Sequence, residues 1–275
     1  MKNGQLKAAY NVQISRESQI ITHFSVHQKP TGFTTLESHL EGFENAYGKN
    51  PKEVIADAGY GSEENYQMLD QQQVEFFIPY NTYRIEQKRK HKNNLFHAQN
   101  LYYNIELDFL VCPMGQRMHK IYTKESKTTT GFLRQHSVYQ AQNCQGCPMR
   151  GPCFNAKGNR RIEINHNLQR LKAKAREHLE SEKGKEIYAK RGIGPEPVFG
   201  NIKQNKHFKR FSLRKLPKTN IEFGLVAIAH NFAKWTEKIR LLNFGQDHRE
   251  IGRFKAILNH LFSTNYKCSM SFGNL

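Results

Sequence analysis

Two short segments contain the residue types that suit metal-assisted chemistry on a phosphodiester. The first is Val54-Ile55-Ala56-Asp57-Ala58-Gly59-Tyr60-Gly61-Ser62, and the second is Pro195-Glu196-Pro197-Val198-Phe199-Gly200-Asn201-Ile202-Lys203. Each segment places one carboxylate, Asp57 or Glu196, at the boundary of a predicted element. Carboxylate oxygens are preferred ligands of Mg²⁺, and bound Mg²⁺ can activate an attacking oxygen and stabilise a leaving one.

The first carboxylate follows a short apolar run. Glu53-Val54-Ile55-Ala56 predicts a strand buried on both faces, and Asp57 comes at its carboxyl end. Glycines then permit a tight turn into a helix that Ser62 can cap. Open α/β sheets bind their ligands at the carboxyl ends of strands, which favours a functional role for Asp57. The alternative is a plain turn or capping role.

The second carboxylate precedes a proline that suits the first position of a helix. Lys203 comes seven positions after Glu196, which is about two helical turns, so both side chains are expected near one helix face. Upstream, Tyr188 and Arg191 add an aromatic ring and a cation. A structural ion pair is the alternative role for a carboxylate in such surroundings.

Five segments in the same order resemble those of bacterial insertion-sequence DDE transposases. They are the Asp57 and Glu196 segments, Tyr10-Asn11-Val12-Gln13, Phe208-Lys209-Arg210-Phe211-Ser212-Leu213-Arg214, and the stretch from Glu222 to Asn231. The resemblance implies a ribonuclease H-like α/β fold, with a mixed sheet flanked by helices. It also implies Mg²⁺- or Mn²⁺-dependent cleavage of double-stranded DNA at element ends, strand transfer to target DNA, and an oligomer when active.

The resemblance also implies roles for single residues. Asp57 corresponds to the second metal-binding aspartate and Glu196 to the terminal glutamate. The family signature Tyr-x2-Arg-x3-Glu-x6-Lys is matched by Tyr188, Arg191, Glu196 and Lys203, with one extra residue between Arg191 and Glu196. Tyr188 would position a base near the cut. The residues that would contact phosphates are Arg191, Lys203, Lys209, Arg210 and Arg214.

One part of the family pattern is absent. The first catalytic aspartate of the family lies on a strand upstream of Tyr10, but only nine residues precede Tyr10 here and none is acidic. We interpret the chain as a C-terminal fragment that lacks the first strand and the first aspartate. That strand is central in the family's sheet, so its loss predicts unpaired edges on its neighbours. The chain alone is therefore expected to be inactive, and to aggregate or to pair with the missing N-terminal segment.

Charge supports a nucleic-acid partner independently of the motifs. Lysine and arginine number 42 against 24 acidic residues, which gives a net charge of +18. Such a field favours a polyanion and makes binding dependent on salt. The chain has no N-terminal signal pattern and no apolar run near 18 residues, so we expect a cytoplasmic protein without a membrane partner.

Composition and periodicity divide the chain into four regions. Residues 1–80 are expected to form the partial sheet, beginning with a hairpin of strands near Tyr10–Ile14 and Ile20–Val26. Residues 81–161 are interpreted as a cysteine-containing insertion before the last helices, residues 162–243 as the C-terminal helices, and residues 244–275 as a tail. In the last helix five apolar residues step by four, three, four and three, and we interpret them as a core stripe: Ile221, Leu225, Ile228, Phe232 and Trp235.

Four cysteines of the insertion have spacings that suggest a metal site. Cys144 and Cys147 form a C-x2-C pair, with Cys112 before it and Cys153 after it. Four thiolates can hold Zn²⁺ tetrahedrally, and a cytoplasmic address argues against disulfides. The alternative is a set of small buried thiols without a metal.

Two other functions remain open from the sequence. One is a catalytically dead DNA-binding remnant whose basic surface persists. The other is a nuclease of the same fold, in which Asp70 or Asp108 completes the site, although neither comes at a convincing strand end.

Overall fold

The computed structural model describes residues 9–29, 31–189, 196–244 and 267–274. It is a mixed α/β structure that divides into two compact units. The first unit comprises residues 1–80 and 175–275, and the second unit comprises residues 81–174. The strands are β1 (Asn11–Glu17), β2 (Ile20–His27), β3 (Glu53–Ile55), β4 (Glu75–Phe77), β5 (Tyr102–Asn104), β6 (Phe109–Val111), β7 (Arg117–Lys127), β8 (Leu133–Ala141), β9 (Arg161–Ile164) and β10 (Lys267–Asn274). The helices are α1 (Leu36–Tyr47), α2 (Glu63–Gln71), α3 (Tyr83–Glu86), α4 (Arg89–Lys92), α5 (Arg150–Cys153), α6 (His166–Glu180), α7 (Glu182–Ala189), α8 (Glu196–Gly200) and α9 (Leu216–Phe244).

The first unit contains a five-stranded sheet in the order β2-β1-β10-β3-β4. β1 is antiparallel to both of its neighbours, whereas β3 is parallel to β10 and to β4. Ser18 and Gln19 connect β1 to β2 with φ values of 47° and 68°, which matches the right-handed twist of a two-residue hairpin. The predicted hairpin is confirmed.

The central strand β10 lies within residues 244–275, the region expected to be a tail. It pairs with β1 from Asn11↔Asn274 to Arg16↔Ser269, and with β3 from Glu53↔Lys267 to Ile55↔Ser269. The predicted unpaired edges on β1 and β3 are therefore wrong. A missed period-2 pattern explains the error, because Cys268, Met270 and Phe272 alternate with small or polar residues.

The two helices that follow the hairpin form where their sequence signals place them. α1 buries Leu36, Leu40 and Phe43 and ends at Gly48, which adopts φ 69° and so closes the helix in the left-handed conformation. α2 begins after Ser62, whose side chain accepts a hydrogen bond from the Asn65 backbone N–H. This is the predicted cap.

The apolar core of the first unit joins the hairpin to the later helices. Val12 and Ile14 of β1 pack in one cluster with Val198, Ile202 and Phe223. These residues bring α8, the π-helical turn at Asn201–Asn205 and α9 together with β1 and β2.

The predicted core stripe of α9 is wrong, because its members lie on the exposed face. Ile221 is 65% exposed and Leu225 is 64% exposed. The buried face carries Phe223, Ala227 and His230 instead. Because α9 is apolar on two opposite faces, periodicity alone does not distinguish the face that packs on the sheet.

The second unit contains a five-stranded antiparallel sheet in the order β5-β6-β7-β8-β9. Its small core consists of Leu110, Met118, Tyr139, Ala141 and Ile162. Among the residues that the structure describes, no helix has the length and apolar character needed to cross a membrane.

Candidate functional site

Asp57 lies just beyond β3, at the carboxyl end of that strand. Its backbone is extended, and its Oδ1 accepts a hydrogen bond of 2.8 Å from the Gly59 N–H, which begins a short 3₁₀ turn at Ala58–Tyr60. Since β3 is parallel to β10 and β4, the carboxyl ends of these three strands lie at one edge of the sheet. Asp57 therefore stabilises the turn through its side chain, and it also lies at the edge of the sheet where α/β proteins bind ligands.

A buried polar network joins the Asp57 turn to β1. The Tyr60 hydroxyl donates a hydrogen bond to Gln13 Oε1, and Gln13 Nε2 donates to Asn11 Oδ1 at 2.8 Å. All three residues are buried. Two of the five resembling segments, the Asp57 segment and Tyr10-Asn11-Val12-Gln13, are thus in direct contact, and the network holds the turn that carries Asp57 against the hairpin.

Gly61 closes the same turn against the end of β4. A Cβ atom at this position would lie 2.5 Å from the Pro79 carbonyl oxygen and 2.7 Å from the Tyr66 hydroxyl. The Tyr66 hydroxyl donates to the Ile78 carbonyl oxygen, so neither neighbour is a loose side-chain end. The glycine is required here by close backbone approach.

The second carboxylate position is described only by its backbone. α8 begins at Glu196, whose side chain lies outside the described part of the structure, and Arg191 lies outside the described residues altogether. Downstream, Val198 and Ile202 are buried. The backbone changes from α to π at Asn201, so the spacing from Glu196 to Lys203 is not two regular α turns. π-helical turns occur frequently at functional sites.

Lys203 lies in this π-helical turn and is half-buried. Its Nζ lies 5.7 Å from the centroid of the Phe199 ring. Burial lowers the pKa of Lys203, because removal from water disfavours the ammonium. Tyr188 lies near the end of α7 and is also half-buried.

The segment from Lys206 to Lys215, here called the basic loop, connects the π-helical turn to α9. Lys209, Arg210 and Arg214 are exposed on it. Phe208 and Phe211 pack against the core that contains Phe223. In Phe208-Lys209-Arg210-Phe211 the two aromatic rings thus pack on the core, and the two cations between them remain exposed.

Two polar anchors fix the backbone of the basic loop. The Glu222 carboxylate accepts hydrogen bonds from the Ser212 N–H at 2.8 Å and the Leu213 N–H at 2.9 Å. The Tyr10 hydroxyl accepts one from the Lys215 N–H at 3.0 Å. Tyr10 and Glu222 belong to two of the resembling segments, but the sequence alone assigns neither of them a role. These hydrogen bonds fix the backbone of the loop that carries the exposed cations.

The four cysteines of the second unit line one small cavity of about 20 Å³. Cys112 follows β6 at the turn into β7, and the C-x2-C pair follows the end of β8. The pairings Val111↔Arg117 and Met118↔Ala141 bring these two places to the same end of the sheet. Gly146 supplies the left-handed turn inside the C-x2-C pair, with φ 69°.

Arg160 also contacts the thiols of this cavity. Its Nη1 donates to Cys153 Sγ at 3.0 Å, and its backbone N–H donates to Cys144 Sγ at 3.4 Å. Cys112, Cys144, Cys147 and Cys153 are free thiols. The structure therefore brings the four predicted ligands to one place, where two of the sulfurs accept hydrogen bonds from Arg160.

A complete metal site is not formed by the residues that the structure describes. Among them, no group of three or more histidine, cysteine, aspartate or glutamate side chains is arranged to hold a metal ion. The thiols around the cavity thus do not form a finished zinc site, and no cluster of described carboxylates includes Asp57.

The two acids considered as substitutes for the missing aspartate have other places in the fold. Asp108 lies in the second unit and accepts hydrogen bonds from the Tyr139 and Tyr103 hydroxyls. The Tyr139 hydrogen bond is the main cause that lowers the pKa of Asp108. Asp70 lies in the last turn of α2. The second unit therefore holds Asp108 in a tyrosine network.

The family model described as a transposase DDE domain matches residues 111–236. The matched range contains Glu196, Lys203 and the basic loop, whereas Asp57 precedes it. No curated protein and no solved structure matches the chain.

Proposed function

We propose that the chain is part of a DDE transposase, whose DDE domain model matches residues 111–236. We further propose that it binds double-stranded DNA through the basic loop and contributes Asp57 and Glu196 to a Mg²⁺ or Mn²⁺ site. The observation that carries the DNA-binding part is the fastened loop with three exposed cations, Lys209, Arg210 and Arg214. The proposed context is the cleavage and joining of DNA in transposition of an insertion sequence.

The electrostatics of the loop support this assignment. From Lys203 through Lys218 the sequence contains no acidic residue, and the chain carries a net charge of +18. A loop fixed by Glu222 and Tyr10 loses little further conformational freedom when it binds, so its cations are preorganised for phosphate contacts. Lys203, Arg191 and Tyr188 would extend the DNA contacts toward the carboxylates.

The sheet topology supports a ribonuclease H-like catalytic fold. β10 lies between β1 and β3, in the central place where the resemblance implies the family's first strand, and Asp57 follows β3 at the carboxyl edge. Gly59 holds Oδ1 of Asp57, which orients the carboxylate with respect to the strand end. When bound, Mg²⁺ would supply activation of the attacking oxygen and stabilisation of the leaving oxygen.

Among the residues that the structure describes, the carboxylates do not complete such a site. Two-ion catalysis needs bridging carboxylate ligands, and the described residues contribute Asp57 without two further acids beside it. We therefore assign cleavage to the enzyme completed by an upstream segment, in an oligomer, and DNA binding to this chain itself. A catalytically dead DNA-binding remnant is the second candidate, and the same incomplete acid set favours it.

Salt-dependent DNA binding tests the role of the basic loop. We expect a variant with Lys209, Arg210 and Arg214 replaced by glutamine to bind a duplex more weakly, and to lower the slope of log K against log salt by about 3. The matched control removes three exposed lysines of the second unit, Lys124, Lys127 and Lys157. Equal losses in both variants would show a diffuse charge effect and contradict a loop-centred interface.

Mg²⁺-dependent cleavage of element-end DNA separates the two candidates. The chain is assayed alone and then mixed with the segment encoded upstream of Met1. Cleavage in the mixture that is abolished by Asp57→Asn supports the split catalytic site. DNA binding without cleavage in either assay supports the remnant, and cleavage by the chain alone would overturn the requirement for an upstream carboxylate.

The cysteine cavity supports a further part of the proposal, a structural Zn²⁺ in the second unit. Four free thiols from three separate segments line the same small space. Side-chain rotation would be needed to bring the sulfurs to tetrahedral distances of about 2.3 Å from a metal. Such a metal would fasten the turn after β6 to the segment after β8.

A further inference from the structure

The exposed face of α9 carries a continuous apolar stripe. Six large side chains that are between 40% and 65% exposed recur along it: Ile221, Leu225, Ile228, Phe232, Trp235 and Ile239. Their spacing is four, three, four, three and four residues. This is the 3.5-residue repeat of a coiled-coil seam, and the stripe extends over about 27 Å of helix.

The opposite face of the same helix is already used. Phe223 and Ala227 are buried in the core of the first unit, and the Asn231 side chain bonds both the N–H and the carbonyl oxygen of Ile21. α9 therefore cannot rotate to bury the stripe without losing these contacts. A helix that is apolar on both faces is typical of one covered on both sides.

The stripe lacks charge although the chain is strongly basic. Between Ile221 and Thr236 the exposed positions of α9 are apolar or threonine, and include Ala229 and Ala233 beside the large side chains. Glu222 is held by the basic loop, and Lys234 forms an ion pair with Glu237. Depletion of charge around aromatic and aliphatic side chains is characteristic of the centre of a protein interface.

The exposed area is enough for self-association. With roughly 100 Å² exposed per large side chain, two facing stripes would bury about 1,200 Å² in total, which reaches the lower limit of stable interfaces. A partner must present an uncharged seam of the same repeat, and a second copy of this chain presents one. A two-fold interface uses the same patch on both copies.

We propose that α9 is a homodimerisation helix, and that the stripe Ile221–Ile239 packs against the same stripe of a second copy. The dimer places two basic loops in one assembly, because each loop is fastened to the first residues of α9 through Glu222. The inference concerns association in the absence of DNA. It stands or fails separately from the proposed DNA binding.

Light scattering coupled to size exclusion tests the dimer with the full chain. The protein is treated with nuclease and run in 0.5 M salt, which suppresses bridging by nucleic acid and strengthens apolar association. We expect twice the mass of one chain for the wild type. Ile228→Glu should raise the dimer dissociation constant at least about 100-fold, because it places a charge inside the seam of both copies.

Two further variants make the test independent of folding. The double variant Ile228→Ala/Phe232→Ala keeps helix propensity and should weaken the dimer without adding charge. The matched control is Ile105→Glu, at an apolar side chain of the second unit that is 81% exposed. It should leave the mass unchanged.

Three results would overturn the proposal. They are a wild-type chain that stays monomeric to about 100 μM, a dimer that survives both stripe variants, and dissociation by Ile105→Glu as well. A monomer whose Trp235 fluorescence is shielded from a soluble quencher would show that another segment of the same chain covers the stripe, which also excludes the dimer.

Discussion

The Tyr60 hydroxyl donates a hydrogen bond to Gln13 Oε1, and both residues are fully buried. This contact joins the turn that carries Asp57 to β1. The next residue of the network, Asn11, donates to the Lys29 carbonyl oxygen at 3.0 Å. The position of the proposed metal ligand is therefore coupled to the hairpin by hydrogen bonds and to β3 by the chain.

Removal of this hydroxyl should destabilise the fold. We expect Tyr60→Phe to lower the free energy of unfolding by about 1–3 kcal/mol, because Gln13 Oε1 would be left buried without its donor. Urea unfolding measures the change, and Tyr102→Phe, at a side chain that is 64% exposed, is the control. An unchanged urea midpoint for Tyr60→Phe would show that the hydrogen bond makes no net contribution to the free energy of unfolding.

A methyl group at Gly61 should be much more harmful than one at Gly151. The new Cβ would approach the Pro79 carbonyl oxygen to 2.5 Å, whereas at Gly151 it meets nothing within 4 Å. We expect Gly61→Ala to cost about 3 kcal/mol through backbone displacement. Gly151→Ala, in α5, should be neutral or slightly stabilising. Thermal unfolding of the two variants provides the comparison, and similar midpoints would contradict the steric argument.

Removal of β10 should expose two strands at once. A chain ending at Tyr266 loses the pairing of both β1 and β3, and we expect it to aggregate, because unpaired strand edges template association. Hydrogen exchange at β1 and β3 amides and light scattering measure the effect. Removal of Leu275 alone leaves β10 whole and serves as the control. Native-like protection in the chain ending at Tyr266 would show that β10 is dispensable.

The stability of the first unit should decrease below about pH 6.5. His39 is fully buried, with Nε2 2.7 Å from Ser15 Oγ and Nδ1 2.6 Å from Ser25 Oγ. Burial, followed by the nearby His23 and His27, lowers the pKa of His39 well below its usual range. The unfolded chain thus binds a proton that the folded chain excludes, so stability is complete above the unfolded pKa and is lost as the pH falls toward the folded pKa.

Urea unfolding between pH 5 and pH 8 measures this dependence. Each such histidine contributes a slope of up to about 1.4 kcal/mol per pH unit in the affected range. His39→Asn should flatten the profile in part, because burial also lowers the pKa of His23. The exposed His119 is the control position, and His119→Gln should keep the wild-type profile. A profile that His39→Asn leaves equally steep would assign the slope to other groups.

Zinc content tests the cysteine cavity directly. We expect about one Zn²⁺ per chain purified under reducing conditions with zinc present, and loss of the metal in Cys147→Ser. Cys268→Ser is the control, because Cys268 belongs to β10 in the first unit. Metal-free protein, or equal metal content in both variants, would leave the cavity as a set of packed thiols.

The sequence by itself determined the elements whose signals are local. Gly48 ends α1, Ser62 caps α2, and the hairpin follows from two strand patterns joined by a short polar turn. Asp57 was placed correctly at the end of a strand, because a buried apolar run followed by glycines is a local pattern. The five ordered segments also predicted the family whose transposase DDE domain model matches residues 111–236.

Only the tertiary structure decided which strand is central and which face of α9 is buried. β10 and β1 are more than 250 residues apart in the chain. Which strand pairs with the edge of β1 depends on the other strands available in the folded chain, and a local sequence pattern contains no information about them. In α9, Phe223 and Leu225 are both apolar, and the sheet selects Phe223 through the core it offers. Hydrophobic burial is non-directional, so a helix with two apolar faces takes its orientation from the surface it meets.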